Sequence, residues 1–286
     1  MIHGTVVAAY GKRYDIELQD GSVISCVTRG KKSELACGDY VNIKITSAGE
    51  GVVEQFNART SLLYRSNEFR KKLLAANVTQ MILIVAARPS FYPELLDRAL
   101  VAAETERIRA IILLNKCDLP ESRQAAEQLQ PYAGLGYNVI PISAQSDISP
   151  LQPWLQGQTT ILIGKSGMGK STLVNALLPE ANTRTREISS VLDSGKHTTT
   201  AARLYHLDAN SHLIDSPGLQ EFGLSHLNFD QIEHGFVEFR PYLGKCRFNN
   251  CRHASEPGCA IHQAVECGKI SADRLTCFHR LVGKPI

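Results

Sequence analysis

A glycine-rich stretch constrains the fold of this 286-residue chain more than any other feature. It runs from Gly164 to Ser171 as GKSGMGKS and matches the pattern G-x-x-x-x-G-K-[ST] at every fixed position. A predicted strand at 160–163 precedes it, and a helical segment at 171–178 follows it. In that setting the glycines let backbone N–H groups converge on phosphate oxygens at the start of a helix. The stretch therefore predicts a nucleotide-binding loop within an α/β fold.

The residues of this loop differ in their expected roles. We expect Lys170 to reach the β- and γ-phosphates and to act in catalysis, while the Ser171 hydroxyl binds Mg²⁺. The candidate nucleotide contacts in the loop and the first helical turn are Gly164, Lys165, Ser166, Gly167, Met168, Gly169, Lys170, Ser171 and Thr172.

Strand and helix patterns alternate upstream of the loop. Continuous apolar runs at 81–85 and 111–114 are typical of strands that are covered on both faces, and 160–163 is expected to be a further strand. Helical patterns begin at Pro93 and near Glu121, and another strand is expected near 139–140. Such alternation predicts a mostly parallel sheet.

Base selection is predicted from the N-K-C-D sequence at 115–118, directly after a buried strand, which resembles the N-K-x-D guanine motif of GTPases. Guanine can donate its N1–H and exocyclic amine to one carboxylate, here Asp118, whereas adenine would leave that carboxylate unpaired. Such a site can discriminate by roughly 10⁴-fold. We expect Asn115 to steady the neighbouring loops and the Lys116 stem to cover the base. Ser143 and Ala144, after the next strand, resemble the S-A loop whose backbone contacts guanine.

Two further segments are expected near the γ-phosphate and Mg²⁺. The D-S-P-G sequence at 215–218 resembles the D-x-x-G switch motif, so Asp215 would hold Mg²⁺ through water and the Gly218 N–H would sense the γ-phosphate. The segment 195–200, GKHTTT, lies where a switch threonine is expected as the second protein ligand of Mg²⁺. Thr199 is the first candidate and Thr198 the alternative.

The N-terminal residues 1–57 contain five short strand patterns, with an Asp20-Gly21 hairpin signal between two of them. This spacing predicts a small closed barrel such as an OB-fold. Such barrels often bind oligonucleotides, although a fold alone does not establish a function. Residues 59–77 are rich in Arg and Lys and are interpreted as a basic linker, which could contact RNA or be a solvated connection.

The C-terminal part combines a cysteine cluster with basic charge. Cys246, Cys251, His253 and Cys259 offer three thiolates and one imidazole, a tetrahedral set suited to structural zinc. The C-x₂-C spacing of common zinc fingers is absent, so buried reduced cysteines remain an alternative, and the other possible ligands are Cys267, Cys277 and His262. From residue 240 onward the sequence contains eight Lys or Arg and three acidic residues, and such a basic segment can bind phosphates.

The motif order points to a family. The guanine motifs precede the phosphate motifs, whereas ordinary GTPases have the opposite order. Every motif still falls at a strand end, and folds tolerate circular permutation when the old termini lie close together. This permuted order, with GKHTTT, DSPG and the flanking segments, closely resembles the RsgA (YjeQ/YloQ) family over essentially the whole chain.

The resemblance implies an α/β P-loop GTPase domain, circularly permuted, with an N-terminal OB-fold β-barrel and a C-terminal helical zinc-binding module. The expected bounds are 1–57, 58–225 and 226–286. It also implies GTP or GDP with Mg²⁺, one structural Zn²⁺ on the cysteine and histidine set above, and the small ribosomal subunit with its rRNA as partner. The implied function is late maturation of that subunit, with GTP hydrolysis stimulated by the ribosome.

The resemblance also bears on hydrolysis. Many GTPases orient water with a glutamine just after D-x-x-G, but here that position is Leu219. His197 is therefore the candidate catalytic residue, and the family points the same way; the alternative is that it only packs its loop. Because the permutation tethers the C-terminal module to the segment after Gly218, we hypothesise that nucleotide state repositions this module.

Composition narrows the remaining possibilities. No apolar run approaches the ~20 residues of a membrane span, and the N-terminus lacks a signal peptide pattern. We expect a cytoplasmic monomer without a membrane partner. Two other hypotheses remain open: an RNA-binding factor in which hydrolysis only resets binding, and a GTP-dependent metal-delivery protein.

Overall fold

The computed structural model describes residues 2–29, 35–67, 70–179, 202–216, 224 and 226–283. Its N-terminal strands close into a barrel in the order β1-β2-β3-β5-β4, with β4 pairing back onto β1. All of these pairs are antiparallel except β3–β5. The five strands are β1 (Ile2–Tyr10), β2 (Arg13–Leu18), β3 (Val23–Thr28), β4 (Tyr40–Ser47) and β5 (Glu50–Phe56). The prediction of an OB-like barrel is confirmed.

The barrel encloses a small core of its own because alternate residues along each strand point inward. Tyr14 and Ile16 on β2 are fully buried, while Asp15 between them is only partly covered. The core consists of Val6, Tyr14, Ile16, Ile24, Cys26, Leu35, Val41, Ile43 and Val53.

The segment predicted to be a linker is instead a hairpin. Strands β6 (Leu62–Asn67) and β7 (Arg70–Ala76) pair antiparallel and form a separate two-stranded sheet. Leu63 and Leu74 are buried in the main hydrophobic core of the molecule, so packing stabilises the hairpin despite its basic composition.

The central sheet contains six strands in the order β10-β9-β8-β11-β13-β12. Only the β12–β13 pair is antiparallel. The strands are β8 (Gln80–Ala86), β9 (Arg109–Asn115), β10 (Asn138–Pro141), β11 (Thr159–Gly164), β12 (Arg203–His206) and β13 (His212–Asp215). The helices among them are α1 (Pro93–Thr105), α2 (Ser122–Gly134), α3 (Gln152–Leu155) and α4 (Lys170–Leu177). The predicted mostly parallel sheet is confirmed.

The parallel strands position the functional loops. Every residue of β8 is buried, as its continuous apolar sequence predicts for a strand covered on both faces. Because β8, β9, β10 and β11 run in one direction, their carboxyl ends meet at one edge of the sheet. Ligands of open α/β sheets bind at such an edge. The loops that follow these four strands therefore lie side by side.

Several contacts join the barrel to the rest of the described molecule. Strand β1 pairs with edge strand β12 through Ala8 and Arg203. Arg59, just after the barrel, contacts both carboxylate oxygens of Asp39 at 2.7 Å, and Asp39 is fully buried. The ion pair fixes the chain where it leaves the barrel.

The C-terminal module, residues 226–283, is helical and packs on α1. It contains α5 (Phe229–Gly235), a 3₁₀ turn (Arg240–Tyr242), α6 (Ala260–Glu266) and α7 (Ala272–Gly283). Asn228 caps α5 reciprocally with Gln231, satisfying backbone donors at both positions. Phe236, Phe239 and Phe278 are fully buried in the main core. Among the helices that the structure describes, none has the length and apolar character needed to cross a membrane.

Candidate functional site

The phosphate-binding loop lies between β11 and α4. Gly164 ends the strand, Gly169 precedes the helix with φ 92°, and Ser171 and Thr172 lie in the first helical turn. A Cβ on Gly169 would lie 2.2 Å from Nδ2 of Asn115, so only glycine permits this approach. The loop is thus built against the guanine-motif loop.

The start of α4 offers backbone donors. In the described part of the chain, no side chain caps the first turn of this helix. Uncapped N–H groups at a helix start favour an anion. Lys170 forms an ion pair with Asp215, the first residue of D-S-P-G, which places that carboxylate beside the phosphate loop. The geometry fits a bound polyphosphate with Mg²⁺.

Asn115 connects three of the predicted motifs. It is 1% exposed, its Nδ2 donates to the carbonyl of Met168 at 2.9 Å, and its Oδ1 accepts the N–H of Ala144 at 2.9 Å. One side chain therefore holds the phosphate loop and the S-A loop on either side of the N-K-C-D loop.

Lys116 and Asp118 flank this connection. Lys116 has φ 63°, and its Nζ donates to the carbonyls of Arg88 at 2.6 Å and Gly167 at 2.7 Å. The Asp118 carboxylate is exposed, and the hydrogen bond with Ser143 lowers its pKa below the ordinary value. Asp118 is therefore ionised near neutral pH and can accept two donors from a purine edge.

The segment 88–92, between β8 and α1, supports the phosphate loop but was not predicted as part of the site. The carbonyl of Arg88, its first residue, accepts the Lys116 hydrogen bond described above. Two carbon atoms of Pro89 lie 3.2–3.3 Å from the position that a Cβ on Gly167 would occupy. The Lys165 ammonium lies 4.4 Å from the centre of the Tyr92 ring. The position of this segment at the end of a central strand is the signal that could have identified it.

Five residues discussed for hydrolysis and switching lie outside the described residues. They are His197, Thr198, Thr199, Gly218 and Leu219. Ser166, in the phosphate loop, is exposed.

The metal-ligand set converges in the C-terminal module. The ligand atoms of Cys246, Cys251, His253 and Cys259 all lie within 4.8 Å of one another. Nδ1 of His253 lies 3.7, 3.6 and 3.2 Å from the Sγ atoms of Cys246, Cys251 and Cys259. Bond lengths of about 2.3 Å to sulfur and 2.0 Å to nitrogen place tetrahedral ligands roughly 3.5–3.8 Å apart. The residues fit a zinc ion, and four protein ligands would leave no open position.

The alternative ligands lie outside this cluster. Cys267 is exposed, and Cys277 is buried beside Asp97. His262 directs Nε2 to the carbonyl oxygens of His253 and Ala254 at 2.9 and 2.8 Å.

Two carboxylates organise the cluster and were missed in the sequence. Glu233 on α5 lies 2.5 Å from Nε2 of His253, which orients the ring so that Nδ1 faces the thiols. Glu256 accepts the backbone N–H groups of Arg252, Ala254 and Ser255, and the Arg252 bond is the main cause that lowers its pKa to about 2. Glu233 is far from His253 in sequence and gives no local signal, whereas Glu256 lies between two ligands.

Comparison with known proteins agrees with this geometry. A family model described as RsgA GTPase matches residues 56–225. The small ribosomal subunit biogenesis GTPase RsgA of Nitrosospira multiformis is 51% identical over 98% of this chain and 90% of its own length. The protein of the same name from Nitrosomonas europaea is 53% identical over the same shares.

Solved structures cover the whole architecture. The crystal structure of YjeQ from Thermotoga maritima matches with a TM-score of 0.74 and 29% identity, covering 99% of both chains. The structure of YloQ, a circularly permuted GTPase, matches with a TM-score of 0.72 and 28% identity, covering 99% of this chain and 94% of its own. The permuted motif order, the OB-like barrel and the extent of these matches lead to one conclusion: the chain belongs to the RsgA family of circularly permuted GTPases.

Proposed function

We propose that this GTPase binds the small ribosomal subunit and assists its late maturation, hydrolysing GTP to GDP and phosphate in a ribosome-stimulated manner. The observation that supports it best is the Asn115 side chain, which bonds both the phosphate loop and the S-A loop. One nucleotide can therefore contact both ends of the site. The relatives named as small ribosomal subunit biogenesis GTPases supply the partner.

Within this proposal the base and the phosphates have separate binding groups. Asp118 accepts the guanine donors, Lys116 covers the base, and the backbone near Ser143 and Ala144 contacts the guanine carbonyl. The loop 164–169, Lys170, Ser171 and Thr172 hold the phosphates. Ser171, Thr199 and Asp215 are assigned to Mg²⁺, which neutralises phosphate charge when bound. Gly218 would sense the γ-phosphate.

Hydrolysis needs a group that orients water, and the apolar side chain of Leu219, at the position where many GTPases have a glutamine, cannot do so. We assign that role to His197, with Lys170 and Thr199 as further catalytic residues. Slow turnover without a partner follows, because Leu219 cannot orient water and another group must help.

The remaining assignments concern organisation. We assign residues 1–57 to the barrel, 58–225 to the GTPase domain and 226–286 to the zinc module. The module would hold one structural Zn²⁺ on Cys246, Cys251, His253 and Cys259. The rRNA of the small subunit is the proposed contact, and a cytoplasmic monomer without a membrane partner is the proposed state.

GTP turnover with purified small subunits, with large subunits and without ribosomes tests the proposal. We expect strong stimulation by small subunits alone. Lys170→Ala should lower both turnover and GTP affinity, whereas His197→Ala should lower stimulated turnover and leave GTP affinity nearly unchanged. Equal rates in all three conditions would contradict the proposal.

A further inference from the structure

Buried charges attach the C-terminal module to helix α1. Arg274 on α7 contacts Asp97 of α1 at 2.5 Å and Glu238 at 2.6 Å, and the three side chains are 4–8% exposed. The hydroxyl of Tyr132 on α2 donates to the same Asp97 oxygen at 2.8 Å. Separating buried, hydrogen-bonded charges is strongly unfavourable. The module and α1 are therefore held together at Asp97.

The contact continues along the helix. Gly235 at the end of α5 lies so close to α1 that a Cβ there would stand 2.7 Å from Cγ1 of Val101. Arg240 contacts Glu104, in the last turn of α1, at 2.7 Å. Because a helix of 13 residues is stiff, a displacement of the module would move α1 with it.

The other end of α1 is at the nucleotide site. Tyr92, the residue before the helix, carries the ring that lies against Lys165 of the phosphate loop. Pro89 packs on Gly167, and Lys116 bonds the carbonyls of both Arg88 and Gly167. Tyr92 and Asp97 are separated by only about 7.5 Å along the helix axis.

Space exists for the start of α1 to shift. An apolar cleft lies between α1 and the strands β8 and β11, lined among others by Leu95, Ile163 and Met168, with Tyr92 at its side. Tyr92 is 55% exposed, so its contact with Lys165 can change without disturbing the core.

We propose that α1 couples the C-terminal module to the phosphate-binding loop, with Asp97 and Tyr92 as positioning residues for the GTPase reaction. The proposal rests on the proposed function and deepens it. A partner that displaces the module would act on the nucleotide site through α1. This route is separate from the covalent tether after Gly218.

The dissociation rate of fluorescent GDP from the full, zinc-loaded chain tests the coupling. Asp97→Asn and Tyr92→Ala should each accelerate dissociation by about 3- to 10-fold. Tyr92→Phe keeps the ring and should restore the wild-type rate. The double variant Asp97→Asn/Tyr92→Ala should resemble the faster single variant, because both changes interrupt the same link.

A matched control distinguishes coupling from a surface effect. Arg280 is also on α7 and contacts Glu94 of α1 at 3.7 Å, but it is 64% exposed, so Arg280→Gln should leave the rate unchanged. A lower melting temperature in Asp97→Asn with an unchanged rate would overturn the coupling, as would simple addition of the two single effects. If Asp97→Asn loses zinc or fails to fold, the two variants at the exposed Tyr92 decide the question. Equal GDP dissociation rates in Tyr92→Ala and Tyr92→Phe would then overturn the proposal. Failure of the wild-type chain to bind GDP would instead refute the proposed function.

Discussion

At the scale of single residues, the bond between Ser143 and Asp118 makes two short motifs dependent on each other. Asp118 must be ionised to accept the guanine donors, and its bond with Ser143 holds the pKa of that carboxyl below its ordinary value. Its contribution to GDP affinity is therefore present above that pKa and lost as pH falls through it.

Ser143→Ala should shift this pH dependence. Without the hydroxyl the pKa of Asp118 rises toward its ordinary value, so GDP affinity should begin to fall at a higher pH than in the wild-type chain. Fluorescent GDP titrations between about pH 6 and pH 3, which span the ordinary aspartate pKa of about 3.9, measure the shift. Ser146→Ala, in the same turn, serves as the control. Superimposable profiles for the wild type and Ser143→Ala would contradict this assignment.

Glu233 is the second residue whose role can be tested in isolation. Its carboxylate orients His253, and loss of such a partner typically weakens metal binding by about 10- to 100-fold. We expect that loss for Glu233→Ala and an intermediate one for Glu233→Gln, which retains a hydrogen-bond acceptor. Competition with a chromogenic chelator measures zinc affinity. Asp230→Asn, an exposed change on the same helix, should have no effect; an equal loss there would argue against the orienting role.

At the scale of elements, the junction between β11 and α4 depends on one glycine. Gly169→Ala would push Asn115 away and break the connection between the phosphate loop and the S-A loop. Gly136→Ala is the matched control variant, because Gly136 also has a positive φ, of 94°, but a Cβ there would meet no atom within 4 Å.

Gly136→Ala should lower the free energy of unfolding by about 1–2 kcal/mol through backbone strain alone, and GDP affinity should be retained. Gly169→Ala should lower stability further and reduce GDP affinity by about 100-fold or more, since the loops that hold base and phosphate separate. Thermal melting and GDP titration measure both. Equal melting temperatures and affinities in the two variants would show that the junction is not needed.

The regular elements around the site could be predicted because their signals are local. The apolar run of β8, the glycines of the phosphate loop and the placement of N-K-C-D after β9 each follow from neighbouring residues. The five strand patterns predicted the barrel and the cysteine and histidine set indicated a zinc module, and the family resemblance implied the same domains. Both the barrel and the permuted sheet are confirmed.

Elements stabilised by distant contacts could not be predicted in the same way. The hairpin β6–β7 was not predicted, because the basic composition of the segment indicated a linker, whereas Leu63 and Leu74 pack into the main core. The support of the phosphate loop by Tyr92 likewise depends on a partner far away in sequence, Lys165. Glu233 reaches His253 only through the folding of the module.

At the scale of the whole molecule, zinc should determine whether the C-terminal module stays folded. Three buried or partly buried cysteines and His253 converge there, and structural zinc sites of this kind contribute folding free energy directly. Removing zinc with a strong chelator should expose residues 243–259 to protease, whereas the barrel has a core of its own that does not include the loop carrying the ligands.

Limited proteolysis with mass spectrometry measures this difference. Cys259→Ser should imitate chelation, and Cys267→Ser, at an exposed cysteine outside the cluster, should not. Protection of 243–259 in the chelated protein would contradict a structural role for the metal.

The central claim is that one pocket joins the phosphate loop to a carboxylate that selects guanine. Asp118→Asn tests it most directly, because an asparagine amide pairs with the N1–H and the 2-oxo group of xanthine but not with both donors of guanine. Titration of wild type and variant with GDP and with xanthosine diphosphate is the measurement. We predict that Asp118→Asn loses GDP affinity and gains affinity for xanthosine diphosphate, and that Lys170→Ala weakens both. Unchanged GDP preference in Asp118→Asn would contradict the account.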